Sequence, residues 1–252
     1  MATVEVQPLS ELFVGSKEDT MRKAIAVNGS PRTDKGFTAL LLRAFVEGMS
    51  EAGCEVEVLY PSRLKIKPCA CGEMYCWYNE PGECCFQDDM QSLYPKLREA
   101  ETLVLATPVY IPLPGAMQDF VNRLCPLLHP LLETRQGRTR ARFRNDVRIE
   151  RVALLAVGGW WEKANLDTVV RIVEDLAATA SVEFAGAVLR PHAFVMKREG
   201  ELQEDGQAVL AAVRQAGRQL VEEGTMSEQT LEAISRPLCS EGELRNWYNQ
   251  WV

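Results

Sequence analysis

The residues best suited to chemistry are cysteines, and five of the eight lie in one short segment. Cys69, Cys71, Cys76, Cys84 and Cys85 follow the spacing C-x-C-x4-C-x7-C-C. In a reducing compartment such a cluster more often binds metal or does redox chemistry than forms a disulfide scaffold. The spacing differs from that of a zinc ribbon and from that of a bacterial ferredoxin. Cys69, Cys71, Cys76 and either Cys84 or Cys85 could surround one soft metal centre. The alternative is a tight loop of reduced cysteines, with or without one disulfide.

A second chemical signal is the loop NGSPRTDKGFT, between a predicted strand and a predicted helix. It combines hydroxyl, cationic and glycine residues, namely Ser30, Arg32, Lys35, Gly36 and Thr38. Hydroxyl donors, backbone amides and the dipole of a helix N-terminus together bind a phosphate monoester. The loop matches neither G-x-x-x-x-G-K-[ST] nor G-x-G-x-x-G, which argues against a nucleoside-triphosphate loop and against a dinucleotide held as in dehydrogenases. The alternative is an ordinary turn after the first strand.

Two later loops have residues suited to a flat ligand. TPVYIPLPGAM at 107–117 places Val109 and Tyr110 behind a proline, a stiff apolar ledge that suits an aromatic heterocycle. GGWWEKAN at 158–165 has two glycines that let a ligand approach the backbone, and two tryptophans that could cover it. The alternatives are a packed proline-rich turn and a pair of interface anchors. Together the three loops describe a phosphate pocket beside a flat apolar slot, the shape of flavin mononucleotide (FMN).

The elements that must position these loops alternate between apolar runs and helical patterns, which predicts βαβ units on a parallel sheet. We expect strands at 23–29, 54–60, 102–110, 151–159 and 182–191, and helices at 37–53, 88–100, 114–128, 165–180, 204–223 and 227–250. Five strands with interleaved helices and no internal repeat predict an α/β fold with one doubly wound sheet. Ligands of such sheets bind outside the carboxyl ends of the strands, where the three loops lie.

The predicted domain organisation has one main unit. Residues 21–223 form the sheet domain, and 1–20 an N-terminal arm. The domain has two insertions, a cysteine-rich loop at 67–87 and an arginine-rich stretch at 129–150. Residues 224–252 form a C-terminal helical extension.

The composition is that of an ordinary globular protein, with 252 residues, 46% hydrophobic and 25% charged. Its net charge of −7 argues against a nucleic-acid partner. No apolar run is long enough to span a bilayer, and the acidic N-terminus does not resemble a signal peptide. We therefore expect a cytoplasmic protein with no membrane partner.

Several other residues have both a structural and a functional interpretation. The arginines between 135 and 151 are expected to form a solvated face; the alternative is that they attract the phosphates of NADPH or an acidic neighbouring subunit. We expect both histidines, His129 and His192, to be structural. Asp88–Asp89 is expected to cap a helix, and the remaining cysteines to be packing residues: Cys54, Cys125 and Cys239.

The motifs NGSPRTDKGFT at 28–38, TPVY at 107–110 and GG at 158–159 resemble those of the NADPH-dependent FMN reductase family, whose fold is similar to flavodoxin. The resemblance runs from about Lys23 to Pro191. Within the family the chain is most similar to the iron–sulfur flavoprotein branch, in which a compact cysteine motif precedes a proline–glycine pair and an acidic pair. Those features are here Cys69, Cys71, Cys76, Cys84, Pro81–Gly82 and Asp88–Asp89.

The resemblance implies a flavodoxin-like five-stranded parallel sheet with helices on both faces, and a site for FMN. The residues implied to hold the phosphate are Ser30, Arg32, Lys35, Gly36, Phe37 and Thr38. Those implied to line the ribityl chain and ring are Pro108, Val109, Tyr110, Ile111, Gly158, Gly159 and Trp160. Phe37 departs from the family pattern, because many relatives have an asparagine before the threonine. The cysteine spacing departs too, since the branch has C-x2-C-x2-C before a longer gap.

The function implied is that of an FMN-dependent oxidoreductase. It would transfer electrons from NAD(P)H, or from a ferredoxin-like donor, to a quinone, a flavin or a metal acceptor. A 4Fe-4S cluster on Cys69, Cys71, Cys76 and Cys84 would favour one-electron transfer. The alternatives are a non-enzymatic flavodoxin-like redox or metal sensor or electron carrier that uses the cysteine-rich loop, and a sheet that binds another phosphorylated ligand. The paired tryptophans and the aromatic C-terminus favour a homodimer or homotetramer.

Overall fold

The computed structural model describes residues 21–250, apart from the side chain of Glu73, so the predicted arm at 1–20 lies outside the described residues. One sheet of five parallel strands forms the centre: β1 (Arg22–Asn28), β2 (Cys54–Leu59), β3 (Thr102–Pro108), β6 (Arg151–Val157) and β7 (Glu183–Arg190). Their order is β2-β1-β3-β6-β7. This order confirms the predicted doubly wound, flavodoxin-like α/β fold, with its switch point between β1 and β3.

Helices cover both faces of the sheet because its central strands are apolar on both sides. The helices are α1 (Phe37–Glu51), α2 (Tyr75–Tyr78), α3 (Met90–Glu99), α4 (Gly115–Asn122), α5 (Asp167–Ala180), α6 (Glu204–Glu222), α7 (Glu228–Ser235) and α8 (Glu241–Asn249). Helices α1, α6 and α7 pack with one face, and α3, α4 and α5 with the other. In the described part of the chain, no helix has both the length and the apolar character needed to cross a membrane.

Helices α1 and α6 cross in unusually close contact through two glycines. A Cβ atom on Gly48 would lie 1.9 Å from the carbonyl oxygen of Arg214, and one on Gly217 would lie 2.0 Å from that of Phe45. Each glycine thus faces the backbone of the other helix. The absence of side chains there lets the two backbones meet directly.

The arginine-rich stretch contains strands that the periodicity did not predict. Strands β4 (Leu128–Arg135) and β5 (Arg138–Phe143) form an antiparallel hairpin outside the main sheet, around a turn at Gln136 and Gly137, both with positive φ. The predicted helix at 114–128 accordingly ends early, at Asn122, and a 3₁₀ turn containing Pro126 leads into β4. A second small hairpin joins β8 (Lys197–Arg198) and β9 (Glu201–Leu202).

The C-terminal extension is two helices, and the prediction of one helix at 227–250 was wrong. Arg236, between α7 and α8, has extended backbone with ψ 143°. The following residue is Pro237, whose ring disfavours helical backbone at the residue before it. Both helices begin at a serine whose side chain accepts a backbone N–H, Ser227 for α7 and Ser240 for α8.

Candidate functional site

The loop after β1 forms a compact cradle at the N-terminus of α1. The buried Asn28 side chain organises it, because its Oδ1 accepts from the Ser30 amide and its Nδ2 donates to the Thr33 carbonyl, both at 3.0 Å. The Ser30 hydroxyl accepts from the Arg32 amide at 3.2 Å, so its own proton remains for a ligand. The sequence analysis assigned no role to Asn28.

The first turn of α1 is free to receive an anion. Gly36 is its N-cap and supplies no side chain, and the turn contains no acidic residue. A Cβ atom on Gly36 would lie 3.3 Å from the Cβ atom of Arg32 and 3.4 Å from the Ser30 hydroxyl oxygen, so a side chain there would contact the cradle. Within residues 21–250, no carboxylate pairs with Arg32 or Lys35. A hydroxyl and the first amides of α1 therefore lie together in a loop that also contains Arg32 and Lys35, a combination suited to a phosphate monoester.

Backbone hydrogen bonds tie the three loops together along one edge of the sheet. The Gly29 amide donates to Ala106 at the end of β3 over 2.8 Å, and the Val109 amide donates to Val157 at the end of β6 over 2.9 Å. The Gly158 amide donates to Arg190 at the end of β7, also over 2.9 Å. The sheet therefore brings the loops after β1, β3 and β6 to its carboxyl edge, as the sequence analysis expected.

Apolar side chains at this edge are exposed. The side chains of Tyr110, Ile111 and Trp160 are 53%, 100% and 66% exposed, while Val109 packs partly against the core. Large exposed apolar side chains that lie close together mark binding surfaces. The edge is an open shelf. A cavity of about 340 Å³ lies at the opposite edge, near Lys23 and Glu99, and is remote from these loops.

The C-terminal extension contacts the third loop directly. The Tyr248 hydroxyl donates to the Gly159 carbonyl at 3.2 Å, and the Trp161 indole donates to the Cys239 carbonyl at 2.9 Å. Trp247 stacks on Phe194, with ring centroids 4.4 Å apart. Local patterns in the sequence cannot reveal these contacts, because they join residues 53 to 89 positions apart.

A buried arginine and histidine at the end of β7 hold the C-terminal extension through hydrogen bonds. The Arg190 guanidinium donates to the carbonyls of Pro191, Ile234 and Arg236 and to Nε2 of His192. His192 also accepts from the Leu238 amide at 3.1 Å. Burial, and then the charge of Arg190, lower the pKa of His192 to about 4, so the ring is neutral at pH 7. His192 therefore has a structural position, in agreement with the expectation.

The cysteine-rich loop brings its thiols together, and they are joined by Cys125. Burial raises the pKa of Cys69 to about 11 and that of Cys76 to about 12, and in both residues the next cause is Cys125. The sequence analysis treated Cys125 as a packing residue, because it lies 40 positions beyond the cluster. Within the described residues, no three His, Cys, Asp or Glu side chains are spaced to hold a single metal ion. The thiols therefore lie near one another, but in the described residues they are not arranged around a single metal position.

A buried ion pair stands beside this cluster. Arg123 is fully buried and donates to both carboxylate oxygens of Asp88, at 2.6 and 3.0 Å. Burial opposes a change of pKa in either residue in the direction of the charged form. The hydrogen bonds between Asp88 and Arg123 outweigh it, so the pKa of Asp88 is lowered and that of Arg123 is raised. The second guanidinium nitrogen also donates to the Cys84 sulfur at 3.2 Å. Asp88 accepts from the Met90 amide at the start of α3 and also holds Arg123. The N-cap residue itself, Asp89, makes no side-chain capping hydrogen bond, and its carboxylate accepts from the Lys65 amide instead.

The arginines of the β4–β5 hairpin largely have partners within the chain. Arg138 and Arg140 both pair with Asp175 on α5, and Arg135 donates to the carbonyls of Ala178 and Thr179. Their charges thus hold the hairpin on α5. Three of the four hairpin arginines thus contact α5.

The comparisons with known proteins agree with this geometry. The family model described as NADPH-dependent FMN reductase matches residues 22–197, which include all three loops. The chain belongs to that family. An iron–sulfur flavoprotein of Archaeoglobus fulgidus is 34% identical over 46% of this chain, and the match spans about half of that relative's length, 51%.

Among solved structures, a putative quinone reductase from Klebsiella pneumoniae is similar with a TM-score of 0.56 and 14% identity, over 82% of this chain and 86% of that one. An NAD(P)H:quinone oxidoreductase from Methanothermobacter marburgensis gives a TM-score of 0.51 and 19% identity, over 79% and 96% of the two chains. At these identities the similarity establishes the fold alone. The family-model match ends before α6, so α6, α7 and α8 lie outside it.

Proposed function

We propose that this chain is an FMN-dependent oxidoreductase that passes electrons from NAD(P)H, or from a ferredoxin-like donor, to a quinone, a flavin or a metal acceptor. The observation that carries the proposal is the cradle at the N-terminus of α1, tied by backbone hydrogen bonds to two loops with exposed aromatic residues. This arrangement joins an anion site to an apolar shelf, and the family match makes FMN the ligand of choice.

The residues present fit FMN at both of its ends. The Ser30 hydroxyl, the first amides of α1 and the cations Arg32 and Lys35 would hold the phosphate, with Gly36, Phe37 and Thr38 providing the start of the helix. Pro108, Val109, Tyr110 and Ile111 would line one side of the ribityl chain and ring. Gly158, Gly159 and Trp160 would border the other side. FMN supplies the redox chemistry when bound, and the protein supplies position and electrostatic environment.

The gathered thiols fit an iron–sulfur cluster by the chemistry of their donor set. Thiolates are the ligands such clusters take, and hydrogen bonds to the sulfurs tune them. Here Arg123 is a buried donor already directed at the Cys84 sulfur. We infer that the cysteine-rich loop holds such a cluster, as the names of the curated relatives suggest. A cluster at this place would let the protein exchange single electrons.

A visible spectrum of the purified full chain tests the proposal. We expect the bands of an oxidised flavin, and bleaching of those bands on addition of NADPH under argon. Steady oxidation of NADPH with a quinone present would show turnover. A colourless protein that contains zinc and binds no added FMN would contradict the proposal, and would favour the alternative of a non-enzymatic metal or redox sensor that uses the cysteine-rich loop.

A further inference from the structure

The chain engages every carbonyl of residues 158–160, after β6, but leaves two of the three amides without a partner among the described residues. The groups that donate to the carbonyls are the Ala193 amide, the Tyr248 hydroxyl and the His192 amide. Only the Gly158 amide donates, to the Arg190 carbonyl. The amides of Gly159 and Trp160 are thus available to water or to a ligand. This loop therefore suits a ligand that accepts hydrogen bonds.

The Tyr248 hydroxyl, which donates to the Gly159 carbonyl, also occupies the space beside that glycine. A Cβ atom on Gly159 would lie 3.1 Å from the hydroxyl oxygen, and apart from the adjacent residues of the chain nothing else described lies within 4 Å of it. Gly159 is not among the described residues with positive φ, so its backbone does not itself require glycine. The missing side chain therefore gives room to the phenol of Tyr248.

Helix α8 is fixed at both ends, so this hydroxyl has a defined position. Before the helix, the Cys239 carbonyl accepts from the Trp161 indole at 2.9 Å. In the last turn, the Tyr248 ring meets the Phe194 ring edge-on, with centroids 5.4 Å apart. Between the two ends, Leu244 is buried. The hydroxyl therefore belongs to a packed helix that lies beyond the family match, which ends at residue 197.

The hydrogen bond from Tyr248 also sets the direction of the next amide. The Gly159 carbonyl and the Trp160 amide share one peptide bond, which is trans like every described one except Ile111–Pro112. In a trans peptide the C=O and N–H bonds point in opposite directions, so the Trp160 N–H points away from α8. The extension contacts residues at the end of β7, on one side of β6, and the loop after β3 lies on the other side.

We propose that Tyr248 is a positioning residue for FMN, whose hydroxyl fixes and polarises the Gly159–Trp160 peptide so that the Trp160 amide donates to the flavin ring. The inference rests on the FMN site of the proposed function. Amide donors beside the ring stabilise the negative charge that the ring gains when it accepts two electrons and one proton. A hydrogen bond to the carbonyl strengthens the donor at the other end of the peptide, because hydrogen bonds in a chain polarise one another. Tyr248 therefore favours the reduced form of bound FMN.

The test is the reduction potential of FMN bound to the full chain, measured by equilibration with an indicator dye under argon. Tyr248→Phe removes the hydroxyl and keeps the ring that packs on Phe194. We expect its affinity for oxidised FMN to stay within about twofold and its affinity for reduced FMN to fall about 3- to 10-fold, the effect of one hydrogen bond. The potential then becomes more negative by about 15 to 30 mV, since a tenfold change corresponds to about 30 mV for two electrons.

The matched control is Tyr78→Phe, which loses the same hydroxyl from a side chain that is 68% exposed in α2. Its potential should equal that of the wild type. A second measurement needs no flavin. In the FMN-free protein, the backbone amide resonance of Trp160, read by NMR, should move in Tyr248→Phe and stay in place in Tyr78→Phe, because the lost hydrogen bond acts on the Trp160 peptide.

The outcomes separate this inference from the proposed function. If Tyr248→Phe binds FMN with an unchanged potential, or if its Trp160 amide resonance does not move, the inference is wrong while the proposed function stands. Equal changes of potential in Tyr248→Phe and Tyr78→Phe would also overturn it, because the hydrogen bond to Gly159 would not be their cause. If the wild type binds no FMN, the proposed function is wrong and the inference is wrong with it.

Discussion

Ser30 supplies the side-chain hydroxyl of the proposed phosphate cradle. Its side chain is buried, and its hydroxyl oxygen is fixed by the Arg32 amide. We predict that Ser30→Ala weakens FMN binding about 10- to 100-fold, because a hydrogen bond to a charged group contributes about 1.5–3 kcal/mol. Titration of the apoprotein with FMN, followed by quenching of flavin fluorescence, measures the effect.

The control for this substitution is Ser50→Ala, at an exposed position in the last turn of the same helix. Its affinity for FMN should equal that of the wild type. An unchanged affinity in Ser30→Ala, with the fold intact, would show that the phosphate does not bind at the N-terminus of α1.

His192 makes stability depend on pH in a defined direction. Its pKa is about 4 in the folded chain, where burial and Arg190 disfavour the charged ring, against about 6.5 when unfolded. Between these values the unfolded chain binds the extra proton, so stability falls as the pH falls. We predict a loss of about 2 kcal/mol between pH 7 and pH 5 from this residue. Urea unfolding at the two pH values measures the difference.

Replacing His192 with Gln isolates this contribution. The Gln Oε1 can accept from Arg190 and Leu238 but does not titrate in this range. The variant should therefore lose less stability than the wild type on acidification, whatever its stability at pH 7. If both proteins lose the same stability on acidification, the pKa of His192 is not lowered in the folded chain.

Most residues of the proposed phosphate cradle could be named from the sequence, because a single short loop contains them, but the organising role of Asn28 could not. Arg123, Arg190 and Cys125 could not be assigned their roles. Each acts through partners 35 to 48 positions away, and nothing in the local pattern distinguishes a buried arginine from an exposed one.

At the scale of elements, the crossing of α1 and α6 is the least tolerant contact. We predict that Gly48→Ala destabilises the fold by about 3 kcal/mol or more, because the added methyl would overlap the Arg214 carbonyl. Thermal unfolding measures the loss. Gly242→Ala, in α8, is the control, since nothing lies within 4 Å of the added methyl. Similar melting temperatures for both variants would show that the helices can separate at little cost.

The main strands were predictable as elements because parallel strands buried on both faces are continuous apolar runs. The hairpin β4–β5 was not, because charged residues interrupt its apolar ones and its strands pair only with each other. Leu128, Ala141 and Phe143 pack the hairpin into the core, and Asp175 and the carbonyls at the end of α5 hold its arginines. The break between α7 and α8 could have been found, since Pro237 is a local signal.

At the scale of the whole molecule, the open shelf predicts self-association. Its exposed side chains, Tyr110, Ile111 and Trp160, are apolar, and a second copy would cover them. We predict that light scattering gives a mass of at least about 56 kDa, twice the 28.2 kDa of one chain. Ile111→Glu would place a charge in the interface and should give monomers.

The matched control for this prediction is Leu131→Glu, on the β4–β5 hairpin, where the native leucine is 67% exposed. It should leave the mass unchanged. If Leu131→Glu gives monomers and Ile111→Glu does not, the hairpin and not the shelf is the contact between copies. A wild-type mass of about 28 kDa would contradict self-association altogether.

The hydrogen bond from Tyr248 to the Gly159 carbonyl links α8 to the loop after β6, so a change in that loop should alter how firmly α8 is held. A molecule that displaces Gly159 would break this hydrogen bond, and a molecule that fits the loop as it stands would leave it in place. Digestion by a carboxypeptidase should therefore be faster with a ligand of the first kind and slower with a ligand of the second kind. The digestion rate would then distinguish the two kinds of ligand.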